Sequence, residues 1–387
     1  MQELSQKQIP RYTRDASGGE LHSGGLKMTL VLTNEEVARL LPMEAAIAAL
    51  EPSYCDLSQG MAICPARRDL LVPLPGAVKT VDEFNSMPAV YPRQKIAVWR
   101  VNSDFLTWHS RAGTVRREKE PRAPGDRYVG LVFLFSMETG ELVAIFPDGE
   151  MQRIRVGAAN AIAAKFLARN DSRTLAMLGS GFQAGAQLLA MCAVRPIQQV
   201  RVFSPNAGHR KAFVDEWRGK VKASIEPVAS GREACDGADI VVAATNAAEP
   251  VMDASWLQPG MFITSIRPYE FDRPTLDRCQ VIIIHNRESA PESFLTGGDP
   301  TVVPELAGGG AKAKGGVIDW GEQKDIGELL LGQAPQRSNP SQITCFVNNI
   351  GLSLQFAACG AAVLERARQQ EVGRELPGEW FTEDLHP

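Results

Sequence analysis

The sequence predicts an α/β fold of two domains, one of them built on a parallel sheet, and three observations carry that expectation. The chain has 387 residues, and at roughly 150 residues per domain this implies two units, each long enough to bury a core. Past Arg155, short apolar runs alternate with helical stretches, as "TLAML", "FQAGAQLLAMCAV" and "QVRVF" do between Thr174 and Phe203; strands alternating with helices make a parallel sheet covered on both faces. Ahead of Arg155 the texture is mixed α+β, so the change of domain falls near that residue.

Composition removes several classes of function. Apolar content of 44% with 22% charged residues is that of an ordinary globular chain, and no window nears the roughly 18 apolar residues of a membrane span, so no membrane partner is expected. A formal charge of -4 provides no general attraction to nucleic acid, although residues 111–127, "RAGTVRREKEPRAPGDR", are locally basic and read as a solvated loop. The 7 cysteines form no C-x-x-C pair, and the 5 histidines include no two at helical ligand spacing. Reduced thiols, a cytoplasmic setting and no metal follow. Residues 1–27, polar and glycine-rich without an apolar h-region, read as a flexible extension outside the fold.

In chain order the elements begin with "MTLVLTNEEVARLL", a short strand and a helix that Thr33 caps with Glu36 three residues on. Strands are expected around residues 69–72, 96–101 and 131–136. Residues 130–149, "GLVFLFSMETGELVAIFPDG", form a hairpin turning at Glu138, Thr139 and Gly140, because two β-branched or aromatic runs flank turn-forming residues. An alanine-rich helix covers 156–170, "VGAANAIAAKFLARN", followed by a strand, a helix stopped by Pro196, and a strand. Further strands are expected at 240–244, 261–266 and 281–285. Beyond Pro340, "SQITCFVNNIGLSLQFAACGAAVLERARQQ" reads as one long helix ending in a charged tail.

The turn after "TLAML" carries the chemistry. Gly179, Gly181 and Ala184 hold the three positions of G-x-G-x-x-G/A immediately after a strand and at the head of a helix, the context in which this weak pattern binds a dinucleotide. Gly179 permits the tight turn, Gly181 leaves room for a pyrophosphate, and Ala184 lets the helix pack close to the strand. Phe182 and Gln183 ride on the same turn, where the N–H groups and positive end of the helix face the phosphates. A missing G-K-[ST] excludes a P-loop; a methyltransferase, whose cofactor occupies a similar crevice, stays open. About 20 residues on, where an NAD-binding unit places an acid on the ribose hydroxyls, the chain has Ser204, then Asn206, His209, Arg210 and Lys211, with no carboxylate before Asp215. Donors and cations suit a 2′-phosphate. NADP(H) is therefore favoured over NAD(H), against the alternative that Arg210 and Lys211 merely begin a solvated helix. The same missing acid counts against a methyltransferase.

"RVGAANAIAAKFLAR", "LGSGFQAGAQL", "ADIVVAATNAAEPVMDASWLQPGMFITSI", "GELLLGQAPQR" and "ITCFVNNIGLSLQ" together resemble, in order and spacing, the ornithine cyclodeaminase and mu-crystallin family. The resemblance covers most of residues 28–370, and the G-x-G-x-Q-A turn with Gln183 and Ala184 is its most particular mark. It implies a Rossmann-type parallel-sheet domain (157–335) inserted into a second, α+β substrate-binding and dimerisation domain (28–156 plus 336–375), with 376–387 a tail and a homodimer as the assembly. It also implies NAD(P)H-dependent hydride transfer at the C–N carbon of an amino acid or cyclic imine: dehydrogenation, imine reduction, or the redox cycle that deaminates ornithine to proline. The arginine opening the alanine-rich helix, here Arg155, would hold the substrate carboxylate, a planar fork being suited to it; an interdomain ion pair is the competing role. A second carboxylate-binding arginine matches Arg67 or Arg68. Thr245 and Asn246, after "DIVVAA", are expected near the cofactor ribose or nicotinamide.

Two positions depart from the family pattern. The family's active-site lysine lies on a strand written G-x-K-x-V-N, whereas "AVWRVNSDF" puts Trp99 there, with Arg100 beside it and Lys95 four residues earlier. The cyclodeaminase aspartate past the strand matching "FITSI" falls on Tyr269, with Glu270 adjacent. Arg100 and Glu270 are then the catalytic candidates. Glu270 takes up proton transfer if burial raises its pKa, or is a structural glutamate; Trp99 stacks on the substrate or fills the core. A deaminating cyclase, and a non-catalytic nucleotide- or small-molecule-binding protein or accessory subunit of the mu-crystallin type, are the alternatives. Residues 108–126, longer and more basic than the family's connection, are a lid or a partner-binding loop.

Overall fold

Two sheets of unlike construction share the chain. The computed structural model describes residues 28–75, 80–111, 114–247, 249–287, 291–297, 303 and 318–384; the expected extension 1–27 and residues 112–113 of the basic stretch lie outside them. The first part runs through β1 (Met28–Val31), α1 (Asn34–Leu40), α2 (Met43–Ser58), β2 (Arg68–Leu74), β3 (Thr80–Tyr91), β4 (Ile96–Arg111), β5 (Thr114–Glu120), β6 (Val129–Ser136) and β7 (Leu142–Pro147) into α3 (Gly149–Leu167). The expected capping box holds α1: Thr33 N donates to Glu36 Oε2 at 2.7 Å, and Glu36 N to Thr33 Oγ1 at 3.3 Å. The hairpin β6–β7 turns at Gly140, whose φ of 76° lies in the left-handed region that glycine adopts without cost.

The second part continues with β8 (Thr174–Leu178), α4 (Phe182–Val194), β9 (Gln199–Phe203), α5 (Ala207–Trp217), β10 (Ser224–Pro227), α6 (Gly231–Cys235), β11 (Ile240–Ala243), β12 (Phe262–Ser265), α7 (Arg273–Asp277), β13 (Val281–Ile284), β14 (Glu292–Leu295), β15 (Lys324–Asp325), α8 (Ile326–Leu330), β16 (Thr344–Val347), α9 (Ser353–Gln369) and β17 (Arg374–Pro377). Eight of these strands form a wholly parallel sheet in the order β10-β9-β8-β11-β12-β16-β13-β15. All residues of β11, β12 and β16 are buried, as cover on both faces requires. From β8 the chain steps outward to β9 and β10, then returns to β11 on the other side of β8. That reversal opens a crevice at the carboxyl ends of β8 and β11.

The remaining strands form a mostly antiparallel sheet, β14-β2-β3-β4-β6-β7-β1-β17, with β5 paired to the far half of β4. One face carries α2 and α9, burying Tyr54, Tyr91, Leu134, Phe146 and Phe356; full burial of a Leu or Phe side chain stabilises by about 1.5–3 kcal/mol. Between the two sheets lies α3, buried on nearly every side. Its alanines and glycine are a packing requirement, since a Cβ at Gly157 would come within 2.7 Å of the Ala186 carbonyl of α4.

Several elements depart from the sequence expectations. The alanine-rich helix starts at Gly149 rather than 156, because Asn34 Oδ1, 116 residues away, accepts from Glu150 N at 2.9 Å and ends the hairpin early. Arg155 consequently sits in the second turn of α3 instead of opening it. Beyond Pro340 the single long helix divides into β16 and α9: "TCFV" fills the slot between β12 and β13, a vacancy no local pattern reveals. β14 leaves the parallel sheet to join β2, and β17 takes Leu376 and Pro377, placed in the tail by sequence, into a pairing with β1. Residues 114–120 of the basic stretch form a strand against β4, not a solvated loop, with Thr107 facing Glu118 and Phe105 facing Glu120.

Candidate active site

A cleft of about 1010 Å³ opens where the ends of β8 and β11 face the inner side of the first sheet. Its dinucleotide half is built by the glycine turn. Gly179 has φ 120°, and a Cβ there would fall 2.1 Å from the Ala244 carbonyl, so only glycine lets the ends of β8 and β11 approach. At Gly181 a Cβ would meet nothing within 4 Å, and no side chain caps α4. The head of this 13-residue helix therefore faces open space with N–H groups available to an anion. Gln183 presents a buried Oε1 without a partner, and Phe182 is exposed beneath the Arg153 guanidinium, 5.3 Å from ring to cation. Ala184 is fully buried against the strand layer. These residues fit a pyridine dinucleotide.

Of the donor cluster after β9, Ser204, Asn206 and His209 line the cleft. Ser204 Oγ accepts from Ser180 Oγ at 3.0 Å, and Asn206 caps α5 by accepting from His209 N at 3.1 Å. Arg210 turns back, donating to the Ser204 carbonyl and lying 5.5 Å from the Phe203 ring, while Lys211 pairs with Asp215 at 2.5 Å. Both cations are engaged within their own segment and stand off the cleft wall. Thr245 and Asn246 line the cleft beyond β11.

Arg155 dominates the other half. Its side chain is 6% exposed, Nη1 donates to Gln355 Oε1 at 2.7 Å, and Nε is buried without a partner. Among the described residues no carboxylate forms an ion pair with it, and burial, then the charge of Arg100, pull its pKa down to about 10. Behind it runs a chain of hydrogen bonds: Gln355 Nε2 donates to the Tyr54 hydroxyl at 2.8 Å, which meets His285 Nε2 at 2.8 Å, while His285 Nδ1 meets the Ile350 carbonyl. Burial pushes the His285 pKa down to about 4, so the ring is neutral. Its Nδ1–H donates to Ile350 and its Nε2 accepts the Tyr54 proton. Of the two early arginines, Arg67 lines the cleft, held by Asp69 at 2.7 and 2.6 Å, whereas Arg68 points outward to Glu292 at 3.2 Å.

The three candidates at the departing positions stand outside the cleft. Trp99 is 48% exposed on the outer face of β4, its Nε1 donating to Ser86 Oγ at 2.6 Å; strand alternation turns it away from both substrate and core. Arg100 faces inward but is consumed in the core, donating twice to Asp148 Oδ2 at 2.8 and 2.6 Å and once to Asn85 Oδ1 at 2.8 Å. Glu270 is fully buried behind the wall: Oε1 accepts from Thr245 N and Oγ1 at 2.7 and 2.8 Å, and Oε2 from Ile266 N at 2.9 Å. Burial raises its pKa, and these donors lower it in part. Glu270 thus clasps the ends of β11 and β12 and orients Thr245, while Tyr269 beside it lines the cleft.

Sequence reasoning missed Asp69, Glu83, Lys119, Asn348 and Gly351, all on the cleft wall. Asn348 Nδ2 donates to Asn160 Oδ1 at 2.9 Å, tying the loop after β16 to α3. The run "TCFVNNIG" carried a usable signal, a β-branched stretch broken by Asn-Asn-x-Gly. Nothing local marks Glu83 or Lys119. Among the described residues no group of His, Cys, Asp and Glu could hold a metal ion, and no helix is long and apolar enough to cross a membrane.

Comparison with known proteins agrees with this architecture. Alanine dehydrogenase of Archaeoglobus fulgidus is 29% identical over 355 residues, 90% of this chain and 98% of that protein. The solved Δ1-pyrroline-2-carboxylate reductase of Thermococcus litoralis, in complex with NADH and L-proline, is 25% identical with a TM-score of 0.72, covering 90% of this chain and 100% of that one. An archaeal alanine dehydrogenase dimer with bound NAD is 26% identical with a TM-score of 0.69, covering 90% and 99%. The model of the ornithine cyclodeaminase/mu-crystallin family matches residues 28–371, and the chain belongs to that family.

Proposed function

We propose that the protein is an NAD(P)H-dependent oxidoreductase acting at the C–N bond of an amino acid or cyclic imine, with the substrate carboxylate held by Arg155. One observation carries this reading: a buried guanidinium without an acidic partner shares a cleft with an open, glycine-framed helix head. Burying an unpaired charge is costly, and a bound carboxylate with two parallel N–H···O bonds offsets that cost. The Gln355–Tyr54–His285 chain holds the guanidinium in one orientation, and Arg67 is the second cation on the same wall. The relatives named alanine dehydrogenase and Δ1-pyrroline-2-carboxylate reductase support the reading.

The head of α4 would hold the diphosphate, with Thr245 and Asn246 toward the nicotinamide. When bound, the reduced cofactor supplies the hydride. NADP(H) is favoured because Ser204, Asn206 and His209 line the wall past β9 without a carboxylate. In domain terms, the parallel sheet binds nucleotide, and the mixed sheet with α2 and α9 binds substrate. A second copy pairs against the outer face of that mixed sheet. There strand register sets Leu70, Phe84, Ser103 and Val129 in one row and Pro88, Trp99 and Phe133 in the next. The relative described as a dimer supports two copies, the choice of face rests on the exposed Leu70, Phe84, Trp99 and Val129, and 7 free cysteines accord with a reducing, cytoplasmic setting.

The test is spectrophotometric. Reduced nucleotide is followed with cyclic imine carboxylates and with 2-oxo acids plus amines, then oxidised nucleotide with amino acids. Arg155→Ala should raise the substrate requirement by about ten- to a hundredfold and leave nucleotide affinity nearly unchanged; equal loss of both refutes the assigned role. Nucleotide binding with no turnover of any substrate would favour a binding protein or accessory subunit.

A further inference from the structure

Three buried acidic residues share the inner face of the mixed sheet. Asp69 of β2, Glu83 of β3 and Asp104 of β4 are 4%, 4% and 2% exposed. Strand register sets Glu83 directly across from Asp104, and Asp69 across from Asn85, two residues along from Glu83. Carboxylates on one buried face repel one another and give up much of their hydration, which a nearby cation or set of donors offsets. Asp69 has the Arg67 fork at 2.7 and 2.6 Å. Asp104 has the Lys119 ammonium, delivered by β5, and Asn102 Nδ2 at 3.4 Å. For Glu83 there is no hydrogen bond or ion pair among the described residues, although its side chain is buried and lines the cleft. Arg67 and Lys119 pair with Asp69 and Asp104, and among the described residues neither forms an ion pair with Glu83. The carboxylates act together on Arg67: burial pulls its pKa down, yet the hydrogen bond and charge of Asp69, then the charges of Glu83 and Asp104, leave it raised.

The surroundings narrow the ligand further. Leu71, Leu106 and Trp108 line the same stretch of cleft, and Leu71 packs with Val81 and Trp108 in a small apolar cluster. An acid with no hydrogen bond or ion pair beside an apolar wall suits a positive nitrogen carried on a hydrocarbon or aromatic body.

We infer that Glu83 anchors a subsite for a cationic nitrogen on an apolar body, an ammonium or protonated imine, with partners separate from those of the carboxylate receptor Arg155. That ligand is the substrate, or its remote end, in the reaction proposed above; its turnover depends on that reading and its binding does not. Lys119 and Arg67 are engaged by the neighbouring carboxylates, which leaves Glu83 to meet the ligand's charge. The paired strands β4 and β5 are part of the subsite, because they carry Trp108 and Lys119.

Calorimetric titration of the full chain with n-hexylamine and with 1-hexanol, in the presence and absence of NADPH, separates charge recognition from apolar burial. The amine should bind about tenfold or more tightly than the alcohol; Glu83→Gln should erase the difference and Arg155→Ala should leave it. Should Glu83→Gln fail to fold, Glu83→Asp, which keeps the charge one methylene back, retains a reduced preference, and the wild-type preference must weaken as salt rises. Equal affinity for amine and alcohol, binding of neither, or an amine preference that survives Glu83→Gln overturns the inference. So does tight binding of Mg2+ or Ca2+ that displaces the amine. Amine binding at Glu83 without turnover of any substrate removes the redox reading and leaves the subsite; turnover without amine preference does the reverse.

Discussion

A Cβ on Gly351 would fall 2.5 Å from Nη1 of Arg155, so the guanidinium keeps this position against the loop after β16 because residue 351 carries no side chain to displace it. Gly351→Ala should push the guanidinium off Gln355 while leaving the sheet intact. We expect about tenfold weaker binding of carboxylate ligands with nucleotide affinity unchanged, read by titrating each separately. Unaltered carboxylate binding would show that Arg155 is not the receptor.

Gly179→Ala meets two obstacles, a left-handed φ of 120° and the Ala244 carbonyl at 2.1 Å. Strain of this kind costs on the order of 1–3 kcal/mol. A lowered thermal midpoint together with lost nucleotide binding is the expected result, whereas Gly181→Ala, with nothing within 4 Å, should fold normally and lose nucleotide affinity alone.

His285 makes stability depend on pH in a defined direction. Its pKa falls from 6.5 in the unfolded chain to about 4 in the folded one, so the unfolded state gains the proton first as pH drops. The contribution is fully present above about pH 6.5 and is lost as pH falls toward 4, amounting to roughly 3 kcal/mol. Urea unfolding between pH 7 and 4.5 should show a steeper loss in the wild type than in His285→Asn, and parallel curves would contradict the buried neutral ring.

Arg100 and Asp148 form a buried pair, with side chains 4% and 9% exposed and 2.6 Å between Nη2 and Oδ2. Asp148→Ala leaves a guanidinium stranded in the core and should destabilise by about 3–5 kcal/mol. The double replacement Arg100→Met with Asp148→Ala should recover much of that loss in chemical denaturation. Equal instability of single and double variants would mean the pair is not what holds β4 to the α3 entrance.

Trp99, on the outer face, is 48% exposed. Trp99→Glu puts a charge in the middle of the proposed contact between copies. Light scattering should then report half the wild-type mass with an unchanged nucleotide affinity; an unaltered mass places the interface elsewhere.

Local physics makes a good part of this protein legible in its sequence. The glycine spacing before Phe182, the capping box of Thr33 and Glu36, and the β6–β7 hairpin all depend on residues within a few positions of one another, so pattern and propensity suffice to read them. The resemblance carried Arg155 to the cleft for the same reason, being an ordered set of short motifs.

Tertiary structure alone decided the rest, because the deciding partners are remote in sequence. Asn34 sets where α3 begins from 116 residues away, and Gln355 orients Arg155 from 200 residues away. Whether Trp99 or Arg100 faces inward is a matter of strand register, which a one-residue slip inverts. The pairing of β2, β3 and β4 sets Asp69, Glu83 and Asp104 on one buried face, where, among the described residues, Glu83 lacks the ion pair that each of its two neighbours has.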